Sequence, residues 1–163
     1  MKLPWPLQTS RTTDTEPAPT LEPIRLILAD YDLAGWIQPR GERVTDLLHA
    51  GAPLMFLPDS PEVGDWVPME PSELLIVIPP PHVSPPERRV QRQRHEVIVR
   101  IGGYVVTGTA HLMPGEENDP YLRSTRQFLP LTAVTLTSED GLRQDRAEVA
   151  IVNLKQVSEF RVV

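Results

Sequence analysis

The chain has 163 residues, 40% hydrophobic and 23% charged, with 19 prolines, 9 glycines and no cysteine. That length allows one ordinary domain or two small ones, and the apolar share is too high for a wholly disordered protein. Sixteen Lys and Arg against 22 Asp and Glu leave a net charge of -6, which argues against a protein built chiefly to neutralise phosphates; the lack of cysteine excludes disulfides, thiolate metal sites and a cysteine nucleophile.

Residues 1–23 are rich in Pro, Thr and Glu and carry no sustained hydrophobic period, so they read as an extended N-terminal tail. They lack the apolar stretch of a secretory leader, and no run in the chain approaches the roughly 18–20 apolar residues that span a bilayer. The expectation is a cytoplasmic protein with no membrane span. Leu3, Trp5 and Leu7 break the polar character of the tail, alternating with Pro4 and Pro6. They are candidate partner-binding residues, to dock on another chain or on this protein's own surface.

Beyond the tail, prolines punctuate short apolar runs, which forbids long helices and places proline at strand ends or sheet edges. The runs at 24–33, 74–78, 97–109, 131–137 and 148–154 are rich in Val, Ile, Leu and Thr and predict strands. One helical turn is predicted over 43–50, where Val44, Leu47 and Leu48 fall at i, i+3 and i+4 and Gly51 supplies a stop. Gly102-Gly103 reads as a bulge or hairpin inside a strand. The class is all-β.

An internal repeat organises these runs. Tyr31 and Gly35 match Tyr104 and Gly108, Phe56-Leu57-Pro58 matches Phe128-Leu129-Pro130, and residues 73–77 match 148–152, all in the same order with nearly constant offset. The pattern predicts two tandem small β-barrel repeats of the SH3-like or Sm-like sort, at 24–86 and 87–163. A unit of that size is near the lower limit for a self-sufficient core, so the two are expected to pack together. Tyr31, Tyr104, Phe56 and Phe128 are read as paired core residues, and the two glycines as equivalent bends.

Between the repeats, residues 78–96 begin as a proline-rich extended segment and continue with Arg88, Arg89, Arg92 and Arg94, followed by Arg100. As a strand this stretch would place Arg88, Arg92, Arg94 and Arg100 on one face, a candidate nucleic-acid-binding stripe.

The first half contains Arg43-Val-Thr-Asp-Leu-Leu48, and the second contains Phe128-Leu-Pro-Leu-Thr132 with Val152-Asn153. These pieces resemble a family of small bacterial β-rich proteins of unknown function. Its pattern is a Gly-containing strand, an Arg-hydrophobic-Ser/Thr-Asp turn, a Phe-hydrophobic-Pro-Leu-Thr strand and a hydrophobic-Asn strand. The first half has Ile78-Pro79 in place of the Asn strand, and the second lacks the Arg-Thr-Asp turn. The resemblance implies no activity, cofactor or catalytic residue.

Catalytic signatures are missing from the sequence. His49, His82, His95 and His111 sit in different segments, no serine occupies a nucleophile elbow, and there is no phosphate-binding loop. His95 and His111 could meet on adjacent strands, but no third metal ligand lies near in sequence. The acidic run from Pro114 to Asp119 lacks the alternating spacing of a calcium loop. No catalytic, cofactor-binding or metal-binding residue is therefore assigned. The leading expectation is a non-enzymatic protein-interaction module or accessory subunit, with a protein partner or a homo-oligomer and with Trp36 added to the tail residues as a contact. A nucleic-acid binder using the arginine stripe is the alternative, and an enzyme of unrecognised type the third reading.

Overall fold

The structure is a computed structural model that describes residues 20–59, 64–81, 92–119, 122 and 126–163. Leu3, Trp5, Leu7, Arg88 and Arg89 lie outside the described residues. The fold is all-β: among the described residues ten strands and a short α-helix have defined bounds, and every strand pairs antiparallel.

The strands are β1 (Glu22–Ile27), β2 (Asp32–Ile37), β3 (Leu54–Pro58), β4 (Val67–Met69), β5 (Ile76–Ile78), β6 (Gln93–Ile101), β7 (Tyr104–Leu112), β8 (Phe128–Ser138), β9 (Gln144–Asn153) and β10 (Val157–Val162). Helix α1 (Val44–His49) falls on the predicted turn and buries Val44 and Leu48. Two of the expected strands are each a hairpin. The run 24–33 is broken after Ile27, where the Leu28 N–H donates to the carbonyl of Tyr31 at 2.8 Å. The run 97–109 turns at Gly102-Gly103, as the glycine pair suggested, with Ile101 opposite Tyr104.

The sheet order is β10-β6-β7-β8-β9-β5-β1-β2-β3-β4. The sheet is open, and among the described residues no pairing of β4 with β5, or of β9 with β10, closes either half into the expected barrel. Instead β5 leaves the first half's own last neighbour and pairs with β9, with Ile76 opposite Val152 and Val77 opposite Ile151. Both halves place their fifth strand beside their first and run on in order, β5-β1-β2-β3-β4 and β10-β6-β7-β8-β9. Gly35 pairs with Ile24 and Gly108 with Val97, and both members of the second pair lie 73 residues after those of the first.

Side chains that alternate along a strand point to opposite faces, and here the two faces feed two cores. One core gathers Val97, Val99, Val106, Leu131, Leu136, Ala150 and Val152 with Ile76. The other gathers Ile24, Leu26, Leu48, Phe56 and Leu74 with Val77, Phe128 and Ile151. Central strands β5 and β9 are thus covered on both faces, which accounts for their unbroken apolar runs Ile-Val-Ile and Val-Ala-Ile-Val. Phe56 and Phe128 are fully buried as expected, but Tyr31 is 65% exposed. It sits in the β1–β2 turn, one residue before the strand begins, and its ring is not carried into the core.

Candidate interaction surfaces

No described group of three or more His, Cys, Asp or Glu side chains could hold a metal ion. His95 and His111 do not meet. His95 pairs with Ala110 and His111 with Arg94, so one residue of register puts the two rings on opposite faces of the sheet. His95 approaches Glu117, with 3.9 Å between Nε2 and Oε2, on the other face.

Around His111 a groove of about 580 Å³ opens beside the junction of the two halves. Its floor is apolar, built by Ile78, Pro79, Pro80, Pro130, Val149 and Ile151. These residues lie where β5 leaves the sheet and where the outward faces of β8 and β9 extend past the second core. Arg43, Arg92 and Arg146 stand on the rim with Glu22, Glu42 and Glu148. Within the groove His111 Nε2 and Thr132 Oγ1 are 2.9 Å apart. Burial lowers the His111 pKa below the usual imidazole value, and the positive charges of Arg94 and Arg92 push it the same way. A hydroxyl beside a neutral imidazole is the first half of a nucleophile–base arrangement. His111 and Thr132 join β7 to β8 across the strand pair.

The arginine stripe is divided. Arg94 and Arg100 do share a face of β6, but Arg100 is spent on an ion pair with Glu159 of β10, at 2.9 Å. Arg92 and Arg94 remain near the groove at the other end of the strand. Trp36 lies on β2 opposite Pro23 of β1, half-open to solvent, and borders a shallow depression with Pro79, Pro80 and Pro81.

The two edges of the sheet differ. β4 has three residues, and its middle one, Pro68, has no N–H to offer a neighbour. β10 has six residues and, among the described strands, pairs through one side with β6. The Val163 N–H donates inward to the carbonyl of Glu96 at 2.8 Å. Backbone groups alternate sides along a strand, so Phe160 and Val162 turn their N–H and C=O away from β6, toward the side of β10 that no other described strand pairs. Their side chains pack on the first core, while Glu159 and Arg161 are exposed on the opposite face.

No family model, curated protein or solved structure matches the chain. No described helix is long and apolar enough to cross a membrane.

The sequence reading singled out Arg92, Arg94 and Trp36 but missed Arg146 and the β10 edge. Nothing in the sequence marks Arg146, whose place depends on which strand lies beside β9. The edge did carry a signal: Glu159, Phe160, Arg161 and Val162 alternate charged and apolar with the period of a strand.

Proposed function

We propose that the chain is a non-enzymatic protein-interaction module, an accessory subunit that joins a larger assembly by strand addition. In this reading it is built from two like five-stranded units, each a bent sheet of the SH3-like or Sm-like sort left open. The shared strand permutation and the 73-residue spacing of the Ile24–Gly35 and Val97–Gly108 pairs support that duplication. Superposing the halves tests it directly, with Gly35 expected on Gly108.

The observation that carries the interaction reading is the edge of β10 at Phe160 and Val162, whose outward backbone groups no other described strand pairs. A strand with outward N–H and C=O groups is a template for another strand, and the opposite edge is shortened and blunted by Pro68. The test is affinity purification from the native cell with and without nuclease, comparing the natural chain with Val162→Pro. That substitution removes an outward N–H while leaving the bonds to β6 in place. A stoichiometric protein partner that survives nuclease and is lost with Val162→Pro is the expected result. A partner set unchanged by the variant would overturn the edge as the site.

A second reading, nucleic-acid binding, draws on Arg92 and Arg94 beside the groove together with Arg43 and Arg146. Three glutamates on the same rim and the Arg100–Glu159 pair weigh against it. Such binding would be weak and strongly salt-dependent. Labelled RNA or DNA that fails to bind at low salt removes this reading.

A further inference from the structure

Resting on the strand-addition reading, we infer that the strand added to β10 is β10 of a second copy of this chain, giving a two-fold dimer centred on Phe160. The argument is one of register and charge. A two-fold axis through an antiparallel strand pair at Phe160 places each Phe160 opposite its twin, each Glu159 opposite the partner's Arg161, and each Arg161 opposite the partner's Glu159. The backbone permits this centre. Phe160 turns its N–H and C=O outward, so the two copies exchange both bonds at the axis. Glu159 and Arg161 then form the flanking pairs without backbone bonds, where facing side chains come closest.

The faces agree as well. Phe160 and Val162 lie on the core side of β10, partly buried against the first core, and pairing would extend that apolar layer from one copy to the next. Glu159 and Arg161 lie together on the exposed side, where two reciprocal ion pairs would form across the axis. Glu159 already meets Arg100 within its own chain, both side chains about half exposed, so the partner's Arg161 would complete a three-charge cluster rather than displace a buried one. Charged side chains on an edge usually repel a further strand. Here the two charges are opposite in sign and equidistant from Phe160, so the device that blocks other strands is complementary to its own copy. The β4 edge has neither the length nor such a pattern.

The test is a charge-reversal pair read by light scattering after size exclusion and by native mass spectrometry, with circular dichroism as the check on folding. The natural chain is expected to be a dimer. Arg161→Glu alone places Glu opposite Glu at both flanking positions, and Glu159→Arg alone places Arg opposite Arg. Each is expected to weaken self-association by about tenfold or more. Mixed together, the two variants regain complementary pairs and are expected to form a heterodimer that neither forms with itself. A natural chain that stays monomeric across the accessible concentration range would overturn the proposal, and so would single variants that dimerise undiminished. A monomeric chain that still captures a different protein through β10, lost with Val162→Pro, would overturn the self-pairing while leaving the strand-addition reading standing.

Discussion

Asn153 donates its side-chain amide to the carbonyl of Leu74 at 2.8 Å, tying the end of β9 to the turn that enters β5. The same amide reaches the carbonyl of Pro71 at 3.5 Å, and its oxygen accepts the N–H of Lys155 at 3.2 Å. Asn153 is fully buried, and the contact crosses from the second half of the chain to the first. Beside it the Asn153 N–H donates to the carbonyl of Leu75 at 2.9 Å, so one residue fastens the seam through backbone and side chain.

Replacing Asn153 by Leu takes the side-chain donor from the buried Leu74 carbonyl and the acceptor from the Lys155 N–H, while the Pro71 carbonyl keeps the Leu74 N–H at 3.2 Å. The cost of orphaning such groups is about 1–3 kcal/mol, and Asn153→Leu is expected to lower stability by about 2–3 kcal/mol in urea unfolding. An unchanged midpoint would show that the seam is held by apolar packing alone.

The two matched glycines are expected to respond unequally to alanine. A Cβ at Gly35 would strike the carbonyl oxygen of Leu57 and come within 2.5–2.6 Å of the Phe56 ring. Phe56 is fully buried, and the carbonyl is backbone, so neither can give way cheaply. At Gly108 the nearest atoms are the Thr132 carbonyl oxygen at 3.1 Å and a Val134 methyl at 3.2 Å. Gly35→Ala is expected to cost about 3 kcal/mol or more and Gly108→Ala about 1 kcal/mol, by overpacking of a closed site. Equal thermal shifts for the two variants would contradict the difference in close approach.

How far the sequence reveals this fold depends on whether the deciding contacts are local. Proline density and β-branched runs exclude long helices, and the 3.6-residue spacing of Val44, Leu47 and Leu48 places α1. The turns are less plainly marked. Gly102-Gly103 announces its hairpin, but the β1–β2 turn at residues 28–31 contains no glycine or proline and hides inside an apolar run. The pairing of β5 with β9 joins residues about 75 apart in the chain, and no periodicity within either segment encodes which neighbour it takes. The groove inherits that difficulty, since Arg43, Arg92 and Arg146 come together through the same seam. Asn153 was visible as the Asn that ends the Val152-Asn153 strand motif, yet its part in joining the halves required the positions of Pro71 and Leu74.

Ala133 holds a left-handed conformation, φ 51°, at a bulge in β8. Thr107 pairs with Thr135 and Thr109 with Thr132, so Ala133 and Val134 together face Gly108. A residue with a Cβ is strained by roughly 1–2 kcal/mol in this region, whereas glycine enters it freely and costs more only in the unfolded chain. Ala133→Gly is therefore expected to stabilise the protein by about 0.5–1 kcal/mol. A drop in the melting temperature would mean that the Ala133 methyl makes packing contacts worth more than the strain.

Arg25 of β1 joins Asp32 of β2 and Asp145 of β9, with Nε to Asp32 Oδ1 at 2.7 Å and Nη2 to Asp145 Oδ2 at 3.0 Å. The guanidinium hydrogen bond holds the Asp32 pKa below the usual carboxylate value, against the opposing effect of burial. A carboxylate with a lowered folded-state pKa binds its proton more readily once the chain unfolds. Its contribution is therefore complete above the unfolded pKa of about 3.9 and disappears as the pH falls through the folded value. The side chains are about a third exposed, so solvent screening limits the effect to about 1 kcal/mol. Asp32→Asn is expected to lose that amount at neutral pH and to flatten the decline in stability below about pH 4. Urea midpoints measured from neutral to acid pH check both parts. Parallel curves for the two proteins would place the acid sensitivity in other carboxylates, while convergence at low pH would assign this part of it to the Arg25 cluster.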